Sequence, residues 1–227
     1  MLIYGSEIQA GCRIHALGSE EARATLTIDF GTDSCDTERR LSVTDGIITF
    51  GYTGEEAIIS FGQAFQDVTF VLSNCGDYIS VVKTYSDASS IEIVGAAGND
   101  TIVLGNDYTG FEASIFANII VDGKDGDDVL VIKDGASSVL KANIDIRSSV
   151  ITGIHEDPQK RIDHFSVDEY SISLGSTPAN LTVLLRGVDK TLNITTQDSK
   201  DVIWIKEGEQ RHYLFSDFVI SPHGSLL

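Results

Sequence analysis

The sequence predicts an all-β chain, and within that class a parallel β-helix or β-solenoid, with β-sandwich units as the alternative. Short apolar–polar alternating runs recur about every ten residues, separated by Gly, Asp, Asn or Ser, which is the pattern of many short strands. No window holds an apolar i, i+3, i+4, i+7 stripe long enough for a helix. One phrase occurs twice in the same orientation: Gly95-Ala-Ala-Gly-Asn-Asp-Thr-Ile-Val103 and Gly123-Lys-Asp-Gly-Asp-Asp-Val-Leu-Val131. Each is a glycine–acidic turn feeding straight into a β-branched strand.

The strand-like runs, in order, are Thr25–Ile28, Gly46–Phe50, Ala57–Ser60, Val68–Leu72, Tyr78–Val82, Ile91–Val94 and Thr101–Leu104. They continue with Ile119–Val121, Val129–Ile132, Ser149–Thr152, Tyr170–Leu174, Leu181–Leu185, Leu192–Thr195 and Val202–Ile205. Val, Ile, Thr and aromatic side chains suit a pleated surface with one buried face. Tandem hairpins favour two-residue Asn-Gly or Asp-Gly turns. The one-way recurrence of the glycine–acidic turn favours a chain winding in one sense, each turn burying its apolar stripe on the next.

A longer repeat overlies the short one. The segment from Ile48 to Gly62 matches that from Ile162 to Gly175, and Ala24–Ile28 matches Asp128–Ile132. Gly76–Val81 matches Lys200–Ile205. The offsets drift, as insertions in loops would make them. The reading is two divergent units, 1–105 and 106–227, in one continuous solenoid.

Sixteen basic against 34 acidic residues leave a net charge of −18, which opposes nucleic-acid binding because phosphate contacts need clustered Lys and Arg. It equally opposes a purely electrostatic hold on anionic membranes. No apolar run approaches the roughly 18 residues of a membrane span. Cys12, Cys35 and Cys75 contain no C-x-x-C pair, so tetrahedral zinc has no support, and one disulfide with a thiol left over fits the count. The opening residues carry no basic, apolar export signal, and the chain reads as a piece of something larger.

The two phrases resemble the G-G-x-G-x-D-x-U-x nonapeptide of RTX (hemolysin-type) calcium-binding proteins. Gly95, Gly98, Asp100 and Ile102 take positions one, four, six and eight, as do Gly123, Gly126, Asp128 and Leu130. Position two departs, as Ala96 and Lys124, and the phrases stand 28 residues apart (128 − 100) instead of in tandem. The turn at Gly76-Asp77 reads as one residue short of the motif. The resemblance implies a calcium site with donors Asn99, Asp100, Asp125, Asp127 and Asp128, joined by Asp107 from the next turn. Asp127 and Asp128, adjacent at a strand entry, are expected to point to opposite faces.

Catalytic constellations are thin. Adjacent carboxylates make a poor acid–base pair, the five histidines have no partner at ligand spacing, and G-x-S-x-G is absent. Sequons at Asn99, Asn180 and Asn193 arise readily by chance in a Thr-rich β chain. The expected function is a structural or adhesive solenoid segment of a larger extracellular repetitive protein with residual calcium binding. Its partners would be neighbouring repeat units or surface glycans. The alternatives are a calcium-dependent binding module and a carbohydrate-active β-helix enzyme of the polysaccharide lyase or glycosidase kind.

Overall fold

The structure, a computed structural model, describes residues 2–4, 13–16, 24–31, 40–52, 55–61, 65–86, 88–136, 143–175, 180–186, 190–196, 202–207, 210–215 and 218–220. The first strands are β1 (Leu2–Tyr4), β2 (Arg13–Ala16), β3 (Ala24–Asp29), β4 (Arg40–Thr44), β5 (Ile47–Tyr52), β6 (Glu55–Phe61) and β7 (Phe65–Val71). The central ones are β8 (Tyr78–Lys83), β9 (Ser90–Val94), β10 (Thr101–Gly105), β11 (Asn118–Asp122), β12 (Val129–Asp134), β13 (Asn143–Arg147) and β14 (Val150–Thr152). The last are β15 (Ile162–Phe165), β16 (Glu169–Leu174), β17 (Asn180–Arg186), β18 (Thr191–Thr196), β19 (Val202–Glu207), β20 (Gln210–Phe215) and β21 (Phe218–Ile220). Among the described residues there is no α-helix, so none is long and apolar enough to cross a membrane.

The protein is all-β, with two mostly parallel sheets. The first runs β1-β3-β7-β9-β11-β15-β14-β13-β17-β19-β20 and the second β2-β6-β5-β4-β8-β10-β12-β16-β18-β21. From β7 to β12 consecutive strands alternate between the sheets, and each pairs in parallel with the strand two further on. A strand of the first sheet, a turn and a strand of the second make one tier, and successive tiers lie about 4.8 Å apart. Pairing is continuous across Gly105 and Asn106: β9 pairs with β11, and β10 with β12. The sequence match sets β3 beside β12 and β8 beside β19, yet the members of each pair lie in different sheets. The match therefore reports local strand pattern at those positions.

Alternation along each strand builds the core. In the first sheet Leu26, Val68, Ile91, Ile119 and Ile162 form one inward row, and Ile28, Phe70, Ile93, Val121 and His164 the next. Leu41, Ile79, Ile102, Leu130, Tyr170 and Leu192 line the second sheet, beside Val43, Val81, Leu104, Ile132, Ile172 and Ile194. All are buried, and each aliphatic side chain removed from water contributes roughly 1.5–3 kcal/mol. A one-residue slip would turn a whole row outward, so these rows fix the register.

Each sheet also contains an antiparallel meander, β4-β5-β6 in the second and β13-β14-β15 in the first. The β4–β5 hairpin closes on Asp45 and Gly46, at φ 52° and 80°. This is the two-residue Asp-Gly turn with both residues at positive φ that right-twisted strands prefer. Antiparallel hairpins therefore occur in both sheets, where the sequence led to an expectation of winding in one sense only.

Candidate functional site

Three turns of equal length stack where the chain passes from the first sheet to the second: residues 72–77, 95–100 and 123–128. Their equivalence is set by repeated backbone bonds. Leu72 N–H donates to Val94 O, Gly95 N–H to Asp122 O and Gly123 N–H to Phe165 O. At the far end Thr101 N–H donates to Asp77 O and Val129 N–H to Asp100 O. Leu72-Ser-Asn-Cys-Gly-Asp77 is thus a full six-residue turn, and the shorter turn expected at Gly76-Asp77 is corrected. Leu72 and Cys75 stand where the two motif copies carry glycine. A fourth turn, Ser166-Val167-Asp168, makes the same passage in three residues.

The last residue of every one of these turns is an aspartate, and the four form a column. Asp77 N–H donates to Asp100 Oδ1 at 2.8 Å, Asp100 N–H to Asp128 Oδ1 at 2.8 Å, and Asp128 N–H to Asp168 Oδ2 at 3.1 Å. Ser73 closes the first end, its N–H and Oγ–H donating to Asp77 Oδ2 at 2.8 and 2.7 Å. Lys190 closes the other, with Nζ 2.6 Å from Asp168 Oδ1. Asp77 is 2% exposed, and Asp100 and Asp128 are 0% exposed. Among the described residues, Asp77 Oδ1 is buried without a hydrogen-bond partner, and so are Asp100 Oδ2 and Asp128 Oδ2.

Glycine makes room for those oxygens. A Cβ on Gly95 would lie 2.6 Å from Asp100 Oδ2 and collide with Gly123 O, and one on Gly123 would collide with Asp128 Oδ2 and Ser166 O. The first motif glycine therefore leaves space for the aspartate five residues later. Position two is also conformationally special, since Ala96 and Lys124 both sit at positive φ, 76° and 69°.

The electrostatics follow from burial and crowding. Asp100 is pushed from its ordinary 3.8 to about 8, chiefly by burial, which its hydrogen bond to the Asp77 backbone only partly offsets, while the charges of Asp128 and Asp77 push it further up. Asp128 is raised for the same reasons, burial first, with Asp168, Asp127 and Asp122 contributing like charge. For Asp168 burial also pushes upward, but the Lys190 hydrogen bond, the Asp128 N–H and the lysine charge outweigh it and leave the group low.

The structure divides the six residues expected to bind calcium. Asp100 and Asp128 point inward, whereas Asn99, Asp125 and Asp127 are exposed. The opposed faces expected of Asp127 and Asp128 are as the alternation requires. Asn99 Oδ1 accepts the Asp127 N–H at 3.1 Å, and Asp107 pairs with Lys133 Nζ at 2.8 Å at the other end of β10. Lys124 pairs with Asp122. Calcium takes six to eight convergent oxygens, and the six side chains do not converge on one point. Among the described residues, no three of Asp, Glu, His and Cys gather where they could hold a metal ion.

Asp77, Asp168, Ser73 and Lys190 are the column members that sequence reasoning missed. Asp77 had a usable signal, an aspartate ending a turn directly before an alternating strand. Asp168 had none, because its turn is half the length of the others. Cys75 is disulfide-bonded, and Cys12 and Cys35 lie outside the described residues. No family model, curated protein or solved structure matches the chain.

Proposed function

We propose that the chain is a structural and adhesive β-solenoid segment of a larger extracellular repetitive protein. The observation carrying this reading is the alternation of consecutive strands between two sheets, with register kept through three equal turns. A quasi-one-dimensional stack of this kind presents long flat faces and serves as a spacer or an extended binding surface. The outer faces offer polar groups already ordered for contact. Ser90 Oγ bonds Asp67, Thr69 Oγ1 bonds Glu92, and Asn193 Nδ2 bonds Glu169. The Cys75 disulfide supports an oxidising compartment. Calcium is left out of the proposal because its expected donors lie on opposite sides of the turns.

The test has two arms. Cysteines placed at Thr69 and Glu92, cross-strand neighbours in parallel register, are expected to oxidise to a disulfide in the folded protein. Beads coated with the protein are expected to adhere to glycan-coated surfaces. Failure of the cross-link overturns the solenoid, and failure of adhesion across a broad glycan panel overturns the adhesive role.

A further inference from the structure

We infer that the stacked Gly–Asp turns form a metal-free ladder, in which a backbone N–H of one tier takes one oxygen of the next tier's carboxylate in the place of a shared cation. The inference concerns how the tiers are held together and stands whether or not the chain is adhesive.

The contact does not follow the motif. Asp100 and Asp128 lie in the two glycine-rich copies, but the same N–H to carboxylate bond reaches Asp168 at the end of a three-residue turn. Its first donor is Asp77, in a turn with Leu72 and Cys75 at the glycine positions. A cation held by the nonapeptide geometry would demand that geometry at each step. The ladder demands only an aspartate immediately before each of β8, β10, β12 and β16.

The ladder also terminates on the chain's own groups. Ser73 supplies two donors to the first carboxylate, and Lys190 supplies a positive charge at the last. Of the three column oxygens left over among the described residues, Asp100 Oδ2 and Asp128 Oδ2 face the Cα atoms of Gly95 and Gly123, beside the carbonyls Gly123 O and Ser166 O, and the third is Asp77 Oδ1. Between an oxygen and a carbonyl a hydrogen donor is complementary, as a cation would be, and the two give opposite responses to added calcium. An asparagine side chain provides one, keeping Oδ1 as acceptor for the preceding N–H while Nδ2 stands where the bare oxygen was.

The experiment compares wild type, Asp128→Asn and Asp100→Asn/Asp128→Asn by thermal melting, with a chelator and with calcium chloride at ~5 mM, above the ~0.1–1 mM range of extracellular calcium modules. The wild-type Tm is expected to agree within about 1 °C between the two conditions, because a ligand that does not bind adds no stability. Both variants are expected to melt at or a few degrees above wild type, whichever condition is used. A saturable calcium-dependent rise in wild type, lost in the double variant, would overturn the ladder. So would a fall of Tm in the chelated Asp128→Asn protein. If the double variant does not fold, the wild-type comparison and the single variant still decide.

Discussion

The backbone N–H of Asp100 reaches Asp128 Oδ1 at 2.8 Å, across 28 residues of chain and one tier of the stack. Asp100 is thereby both donor to the next tier and acceptor from the previous one, with its own carboxylate buried. Its folded-state value of about 8 lies above the ordinary 3.8 of an unfolded aspartate. The folded protein therefore holds a proton that the unfolded chain releases anywhere between those values. Stability from this group is fully present below the lower value and is lost as pH rises through the upper one. Tm is expected to fall as pH rises from ~5 to ~8.5, with Asp128 adding in the same direction. Asp100→Asn should flatten most of that slope, as read by calorimetry in a pH series. An unchanged slope in the variant would remove Asp100 as its source.

The glycines opposite the buried oxygens should be intolerant of even one methyl group. Gly123→Ala puts a Cβ into both Asp128 Oδ2 and Ser166 O, and neither a core carboxylate nor a backbone carbonyl can retreat far. A loss of roughly 2–4 kcal/mol is expected, at the upper end for overpacking because a backbone atom is involved. Urea unfolding of Gly123→Ala measures it directly. A loss below ~0.5 kcal/mol, the scatter of ordinary surface changes, would mean the turn has slack that the geometry does not show.

Position two of the turns predicts the opposite sign. Ala96 and Lys124 occupy the left-handed region, which costs an L-residue roughly 1–2 kcal/mol and a glycine almost nothing. Glycine's extra freedom in the unfolded chain returns part of that difference, about 0.4–1 kcal/mol. Ala96→Gly is expected to stabilise by roughly 0.5–1 kcal/mol. Lys124→Gly should gain about as much, since the pair it loses with Asp122 is exposed and such pairs contribute little. Denaturant midpoints of the two variants test this, and a drop in either midpoint would show that these side chains hold the turn in some other way.

These turns also show how far the sequence could be read. Alternation of Ile, Val and Leu with polar residues was enough to expect β7 to β12, because in a two-sheet stack the inward rows are set by period two alone. Arg40–Thr44 and Asn143–Arg147 alternate too, but each begins and ends on an exposed polar residue, and both became visible as β4 and β13 through their antiparallel partners. The Asp45-Gly46 hairpin was passed over because a single winding sense was expected throughout. At the site, Asp100 and Asp128 stood out through their glycines. Which side of the turn each neighbour faces was legible only for Asp127 and Asp128, whose strand-entry position fixes the alternation. Asn99 and Asp125 lie in irregular backbone, where spacing has no such rule, so their exposure came from the three-dimensional turn.

The core holds one further proton-sensitive contact, between His164 and Tyr170. His164 interrupts the inward aliphatic row of the first sheet, and its Nδ1 lies 3.1 Å from Tyr170 Oη in the second sheet, with the rings edge to face at 5.1 Å. Burial lowers the histidine from its ordinary 6.5, while the Arg147 backbone and the charge of Asp163 pull it back only part of the way. A histidine that is harder to protonate when folded loses stability as pH falls below ~6.5, because the unfolded chain then binds the additional proton. This acid-side loss opposes the gain expected from Asp100 and should appear as a flattening of the Tm rise below ~6. Tyr170→Phe alone leaves Nδ1 without the tyrosine hydroxyl and is expected to destabilise by about 1–3 kcal/mol. His164→Phe/Tyr170→Phe removes both polar groups together and should recover much of that loss while steepening the acid-side rise. If the double variant keeps the flattening, the proton is taken up elsewhere and the His164–Tyr170 contact is only packing.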